Sequence, residues 1–270
     1  MKQLCYDVLN EYRELGTQLA QLSGPDWRLL TDFHGWTIFD EIAHLCLFDE
    51  LAVVAITDAA SFRTEQQAIE VSLSQGAQIS EIARQRYVTL PGAALAPVWE
   101  CAFTSLAGRL ELLDARQRLP WFGPDMSARS FATARLMETW AHGQDIYDAL
   151  GISRQPTVRL RHIAHLGVVT FNWSYRVRGM QPPAQAPVVE LRSPAGDTWS
   201  WNEGSNSGRV RGSAEDFCLV VTQRRHVEDT ALETKGIADQ WMRIAQCFAG
   251  PPADGPAPGA RKTVARAAVA

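Results

Sequence analysis

Apolar side chains recur every three or four residues over the first 150 positions, the spacing expected for one face of an α-helix. The strongest runs begin at Leu4, at Thr37, just after Pro97 and near Ser127. Between the second and third runs, residues 61–90 are more polar and have a weaker helical period. Four amphipathic helices, each with one apolar stripe, predict a helix bundle with an outer helical excursion.

The pattern changes after Gly151, where the last bundle helix is predicted to end. A further helix is predicted over 156–179, and helices are also predicted from Ser213 and over 237–248. Between them, short runs alternate apolar and polar residues and are separated by Gly, Pro and Ser, which predicts a small antiparallel sheet. These runs are 188–192, 197–201 and 208–212.

The predicted fold class is therefore α+β, in three parts. Residues 1–151 form a four-helix bundle, and residues 152–250 form a smaller α+β domain with a short antiparallel sheet. Residues 251–270 are rich in Pro, Gly and Ala and are expected to be a disordered tail.

Composition favours small-molecule chemistry. The 270 residues include 26 Lys and Arg against 30 Asp and Glu, a net charge of -4 without the basic excess that attracts nucleic acid or anionic membranes. There is no charged and apolar leader and no apolar run long enough to span a membrane, so a cytoplasmic protein is expected. The five cysteines form no C-x-x-C pair, as is typical of reduced thiols.

The most informative chemistry lies on the fourth bundle helix, where Glu138 and His142 are four residues apart and share one face. A buried carboxylate beside a buried imidazole is costly unless the two are paired or bind a cation. His44, on the apolar second helix that Thr37 and Asp40 cap, is the best third ligand. A metal site and a hydrogen-bonded pair both fit this spacing. Of the other acidic residues on the second helix, Glu41, Asp49 and Glu50 are assigned no role.

Three stretches together resemble the DinB-like metal-binding bundle in the form found in mycothiol-dependent maleylpyruvate isomerases. They are Gly35-Trp36-Thr37, Glu41-Ile42-Ala43-His44-Leu45 and Met137-Glu138-Thr139-Trp140-Ala141-His142-Gly143-Gln144-Asp145. The resemblance implies a divalent metal, usually zinc, held by His44, Glu138 and His142. It also implies an Arg after a helix of the second domain, and Arg224 is the counterpart here, preceded by Gln223 in place of a usual Gly.

The resemblance predicts a metal-dependent isomerase or transferase that uses mycothiol or another low-molecular-weight thiol on a small substrate. Arg224 and Arg225 are expected to bind an anionic cofactor or substrate, although they also suit a helix C-terminus. Asp145 is expected to orient a ligand or to move a proton. A metal-dependent hydrolase or cyclase without a thiol, and a non-catalytic binding protein, remain alternatives. A homodimer is compatible with this architecture.

Overall fold

The computed structural model describes residues 1–261, and the chain divides into two compact units, Met1–Ile152 and a second one that begins at Ser153. The first unit contains helices and one two-stranded antiparallel hairpin. Its helices are α1 (Lys2–Leu19), α2 (Ile38–Thr57), α3 (Ala59–Ser74), α4 (Ile79–Arg86), α5 (Gly92–Glu111) and α6 (Ala128–Ala149), with a 3-10 turn at Asp26–Arg28. The hairpin pairs β1 (Arg118–Leu119) with β2 (Met126–Ser127).

The predicted bundle is present and consists of α1, α2, α5 and α6. Helix α1 packs against α5 and α6, and α2 packs against the same two helices. The apolar stripe of α1 is buried along its length, from Leu4 through Val8 to Leu19. Helices α3 and α4 form the predicted outer excursion and pack on α2, so α2 has neighbours on several sides.

A buried polar network joins the four bundle helices. Asp49 of α2 accepts hydrogen bonds from the hydroxyl of Tyr12 at 2.6 Å, from Nε1 of Trp99 at 2.9 Å and from Nε of Arg135 at 2.9 Å. Both Asp49 and Arg135 are almost completely buried. A buried ion pair is stabilised when additional hydrogen bonds use the remaining lone pairs, and Tyr12 and Trp99 do so for the Asp49 carboxylate.

The start of α2 is fixed by the predicted cap. Thr37 and Asp40 form a reciprocal capping box, and Arg84 of α4 makes two hydrogen bonds of 2.7 Å to the Asp40 carboxylate. Burial by itself would raise the pKa of Asp40, but the bonds from Arg84 and Thr37 outweigh it and the pKa is lowered below its usual 3.8. The ionised form of Asp40 therefore stabilises the fold.

We expect Asp40→Asn to lower the free energy of unfolding by about 1–2 kcal/mol near neutral pH, because a capping acceptor and an ion pair are lost. A carboxyl whose pKa is lower in the folded state stabilises at pH values above the pKa of the unfolded state. The difference between the parent and the variant should therefore begin to shrink as the pH falls below about 4, and it should be lost as the pH falls through the lower pKa of folded Asp40. Urea unfolding at pH 6 and at pH 3.5 measures this, and a pH-independent difference would contradict it.

As far as residue 261, the second unit combines four short helices with a sheet, and its α+β class agrees with the prediction. The helix predicted over 156–179 is divided in two at Thr170, whose backbone angles (φ -89°, ψ 11°) depart from the helical region. The elements are α7 (Leu160–Val169), α8 (Phe171–Arg176), β3 (Val188–Arg192), β4 (Thr198–Trp201), β5 (Gly208–Ser213), α9 (Ala214–Val221), β6 (Glu233–Gly236) and α10 (Ile237–Ile244), with a 3-10 turn at Val227–Asp229.

The sheet of the second unit is mixed, with strand order β4-β3-β5-β6. The predicted antiparallel pairing is correct for β3 with β4, but β5 runs parallel to β3. The loop after β4 passes the start of β3, where Asn202 and Ser205 donate to the carbonyls of Pro187 and Ala186. This crossing places β5 beside β3 in the same direction. The polar strand β6, which pairs antiparallel with β5, was not predicted.

Residues 251–261, the described part of the predicted tail, form no helix or strand. They belong to the second unit, where Ala253 accepts a 2.6 Å hydrogen bond from Nε2 of Gln223 and Gly259 donates to Asp229. Residues 262–270 lie outside the described part of the chain. Within residues 1–261, no helix is both long enough and apolar enough to cross a bilayer.

Candidate metal centre

Three of the predicted site residues meet between α2 and α6. Nε2 of His142 lies 3.3 Å from Oε2 of Glu138, and Nε2 of His44 lies 3.6 Å from the same oxygen. The side chains of His44 and Glu138 are 12% and 25% exposed, whereas His142 is buried. The three donors therefore converge at a point where the side chains of His44 and Glu138 are partly exposed.

The ring of His142 is held by a residue to which the sequence assigned no role. Nδ1 of His142 lies 2.6 Å from Oε2 of Glu41, one turn before His44 on α2. The other oxygen of Glu41 accepts a 2.7 Å hydrogen bond from the hydroxyl of Thr31. An ionised carboxylate only accepts hydrogen bonds, so an ionised Glu41 would place the proton of a neutral His142 on Nδ1 and would leave the lone pair of Nε2 for an ion.

Aromatic rings surround the two imidazoles. Trp36 stacks parallel to the ring of His142, with the centroids 5.7 Å apart, and Phe33 meets that ring edge-on at 5.2 Å. Phe48 lies 4.6 Å from the ring of His44. These contacts restrict both imidazoles and reduce the water around them, which strengthens electrostatic interactions at the donors.

The protonation states suit metal binding. Burial, and after it the charge of the neighbouring His142, lowers the pKa of His44 to about 4. Burial alone would raise the pKa of Glu138, but its hydrogen bonds and charge interactions with His142 and His44 prevail and hold the pKa well below its usual value. Near neutral pH, a neutral imidazole and an ionised carboxylate are therefore present, the forms that bind metals.

The donor atoms also fit a divalent ion in spacing and in kind. Zinc with tetrahedral bonds of about 2.0–2.1 Å places neighbouring donor atoms about 3.3–3.4 Å apart. The 3.3 and 3.6 Å separations around Glu138 are close to this value, and one donor atom from each of the three residues lies within 4.8 Å of the other two. Two imidazoles and one carboxylate are a common zinc donor set that leaves a position for a ligand.

A second group of possible donors consists of Glu41, His142 and Asp145, all of them buried. The 2.6 Å separation between Glu41 and Nδ1 of His142 is a hydrogen bond and is shorter than the roughly 3 Å between two donors on one cation. The contact of Glu41 with His142 is therefore a hydrogen bond on the far side of the ring from Glu138. Asp145 lies close to this pair with 1% exposure, and its predicted role stays a prediction.

Arg224 and Arg225 lie in the second unit, directly after α9. Gln223 has a φ of 59°, in the left-handed region, and Nε2 of Gln223 donates to the carbonyl of Ala245 at 3.0 Å. Nη1 of Arg224 donates to the carbonyl of Thr222 at 2.8 Å, and Nη1 of Arg225 donates to that of Arg224 at 2.7 Å. Both arginines are buried, and their predicted binding role stays a prediction.

The fold and the site together define a helix-bundle protein with a three-donor centre of two histidines and one glutamate. Residues 8–147 match the model of the mycothiol maleylpyruvate isomerase N-terminal domain. Since this match covers more than half of the chain, the protein belongs to that family.

Two further comparisons agree with this assignment. An uncharacterised protein of Mycobacterium tuberculosis, found in strains CDC 1551 and H37Rv, is 43% identical over 250 residues, which cover 92% of this chain and 96% of the relative. The crystal structure of the mycothiol-dependent maleylpyruvate isomerase, also determined for a mutant, matches with a TM-score of 0.56 and 14% identity, over 87% of this chain and 92% of that one. At this identity, the structural likeness concerns the fold.

Proposed function

We propose that the protein is a divalent-metal-dependent enzyme that uses a low-molecular-weight thiol such as mycothiol to isomerise or transfer a small unsaturated or carbonyl substrate. The observation that carries the proposal is the convergence of His44, Glu138 and His142 on one partly exposed point, at zinc-like spacing. Family membership supports the choice of thiol chemistry.

His44, Glu138 and His142 would hold the ion, which we propose to be zinc. A bound divalent ion lowers the pKa of a thiol or water and polarises a carbonyl. The protein residues orient and shield this centre, since Glu41 fixes the proton on His142, and Trp36 and Phe48 limit the access of water.

The test measures metal content and thiol dependence on the same preparation. We expect about one equivalent of metal in protein purified without added metal, and turnover of a maleylpyruvate-type substrate only when mycothiol is present. Turnover without a thiol would favour a metal-dependent hydrolase or cyclase. Metal without any turnover would favour a binding protein. Protein that neither carries nor accepts metal would overturn the proposal.

We also propose that Arg224 binds a carboxylate of the substrate through its guanidinium, as the resemblance implies. Arg224→Ala should retain the metal and raise KM by about tenfold or more, because a charge-assisted hydrogen bond contributes about 1.5–3 kcal/mol. Steady-state kinetics and metal analysis of this variant test the role. Arg176→Ala, on a different helix of the same unit, is the control. Unchanged kinetics in Arg224→Ala would contradict this role.

A further inference from the structure

Helix α2 contains three fully buried carboxylates, and their partners differ. Asp40 pairs with Arg84, and Asp49 pairs with Arg135. Glu41 is equally buried, and the only nitrogen it contacts within residues 1–261 is Nδ1 of His142. A buried carboxylate without a cationic partner is costly, so the position of Glu41 requires an explanation.

Positive charge on the imidazole of His142 would supply the missing partner. A cation bound at Nε2 draws electron density through the ring and makes Nδ1–H a stronger donor to Glu41. The carboxylate of Glu41 is prepared for this role, because the Thr31 hydroxyl fixes its other oxygen at 2.7 Å.

Thr31 is itself held by a closed loop before α2. Its backbone N–H donates to the carbonyl of Trp36 at 2.7 Å, and the N–H of Ile38 closes the loop by donating to Leu29 at 3.1 Å. The same loop stacks Trp36 on His142. One loop therefore acts on His142 in two ways. Its Trp36 stacks on the imidazole ring, and its Thr31 holds Glu41, the partner of Nδ1.

We propose that Glu41 and Thr31 are positioning residues of the metal centre, which hold His142 with Nε2 directed to the ion and increase its affinity for the ion. This inference rests on the proposed function, since it needs an ion at His44, Glu138 and His142. His44 provides a contrast, because its Nδ1 is buried without a hydrogen-bond partner in the described part of the chain. His142 is thus the imidazole that the fold orients.

The experiment compares zinc affinity, by competition with a chromophoric chelator, in the metal-free full chain and its variants. Glu41→Gln keeps the size of the side chain and removes the charge, and we expect the Kd for zinc to rise by about 10–100-fold. Thr31→Val should raise it by about threefold or more, and Thr31→Ser should restore the parent value. Glu50→Gln is the matched control, because Glu50 lies on the same helix and pairs with Arg86 on the surface.

Thermal unfolding of the metal-free proteins separates positioning from folding. Removal of a buried charge need not destabilise the protein, so we expect metal-free Glu41→Gln to melt within a few degrees of the parent. If the parent binds zinc and Glu41→Gln binds it with the same Kd, the positioning role is overturned and the proposed function is not. A parent without zinc affinity would overturn the proposed function and this inference with it. If Glu41→Gln fails to fold, an unchanged Kd in Thr31→Val overturns the inference.

Discussion

Glu138→Gln is expected to abolish tight metal binding while the bundle stays folded. Oε2 of Glu138 is the atom that both imidazole nitrogens face, at 3.3 and 3.6 Å, so its charge is the centre of the donor set. Loss of an outer hydrogen-bonding partner alone costs 10–100-fold in metal affinity, so loss of a ligand should raise the Kd by more than about 100-fold. Elemental analysis and chelator competition measure this change.

The fold should survive this substitution, because the Glu138 side chain is 25% exposed and a glutamine has nearly the same shape. Glu100→Gln, at an exposed position of α5, is the control and should keep the metal content of the parent. His44→Ala and His142→Ala should lose metal and activity together. A Glu138→Gln protein that binds metal as tightly as the parent would show that Glu138 is not a ligand.

The second large effect is expected for stability, from Asp49→Ala. This substitution leaves the guanidinium of Arg135 buried without its counter-charge and removes the acceptor used by Tyr12 and Trp99. Breaking a buried ion pair by removal of one partner typically costs about 3–5 kcal/mol. Urea unfolding followed by tryptophan fluorescence should therefore show a strongly lowered midpoint for the transition that exposes Trp99.

A double substitution tests whether the unpaired charge causes this loss. Asp49→Leu combined with Arg135→Met removes both charges, and it should recover a large part of the stability lost in Asp49→Ala. Arg63→Met, which breaks the exposed pair with Asp125, is the control and should cost less than about 1 kcal/mol. A loss below about 1 kcal/mol in Asp49→Ala would contradict a structural role for the network.

The features that the sequence predicts correctly depend on residues that are close together along the chain. The stripe on α1, the capping box at Thr37 and the pairing of Glu138 with His142 depend on spacings of three or four residues, and all are present in the structure. His44 was predicted as the third ligand from its place on the capped, apolar second helix, the family resemblance implied the same residue, and the structure places it opposite that pair. Local periodicity thus identifies helices and half of a site.

The features that escaped prediction depend on contacts between distant residues. Glu41 meets His142 only when α2 packs on α6, although a glutamate three residues before His44 in an apolar run was the available signal. The parallel direction of β5 follows from a loop that crosses the start of β3. Strand β6 has no alternating apolar pattern, because its place is set by backbone pairing with β5.

The donors of the proposed centre come from two helices that are far apart along the chain. Binding of an ion at this centre would therefore depend on folding. In an unfolded chain, Glu138 and His142 remain close because they are four residues apart, but His44 is far from both. A ligand that binds the native state alone adds RT ln(1 + [L]/Kd) to stability. The ion would thus act as a removable cross-link between α2 and α6, and chelators would lower the melting temperature of the bundle by an amount that grows with the logarithm of the affinity for the ion.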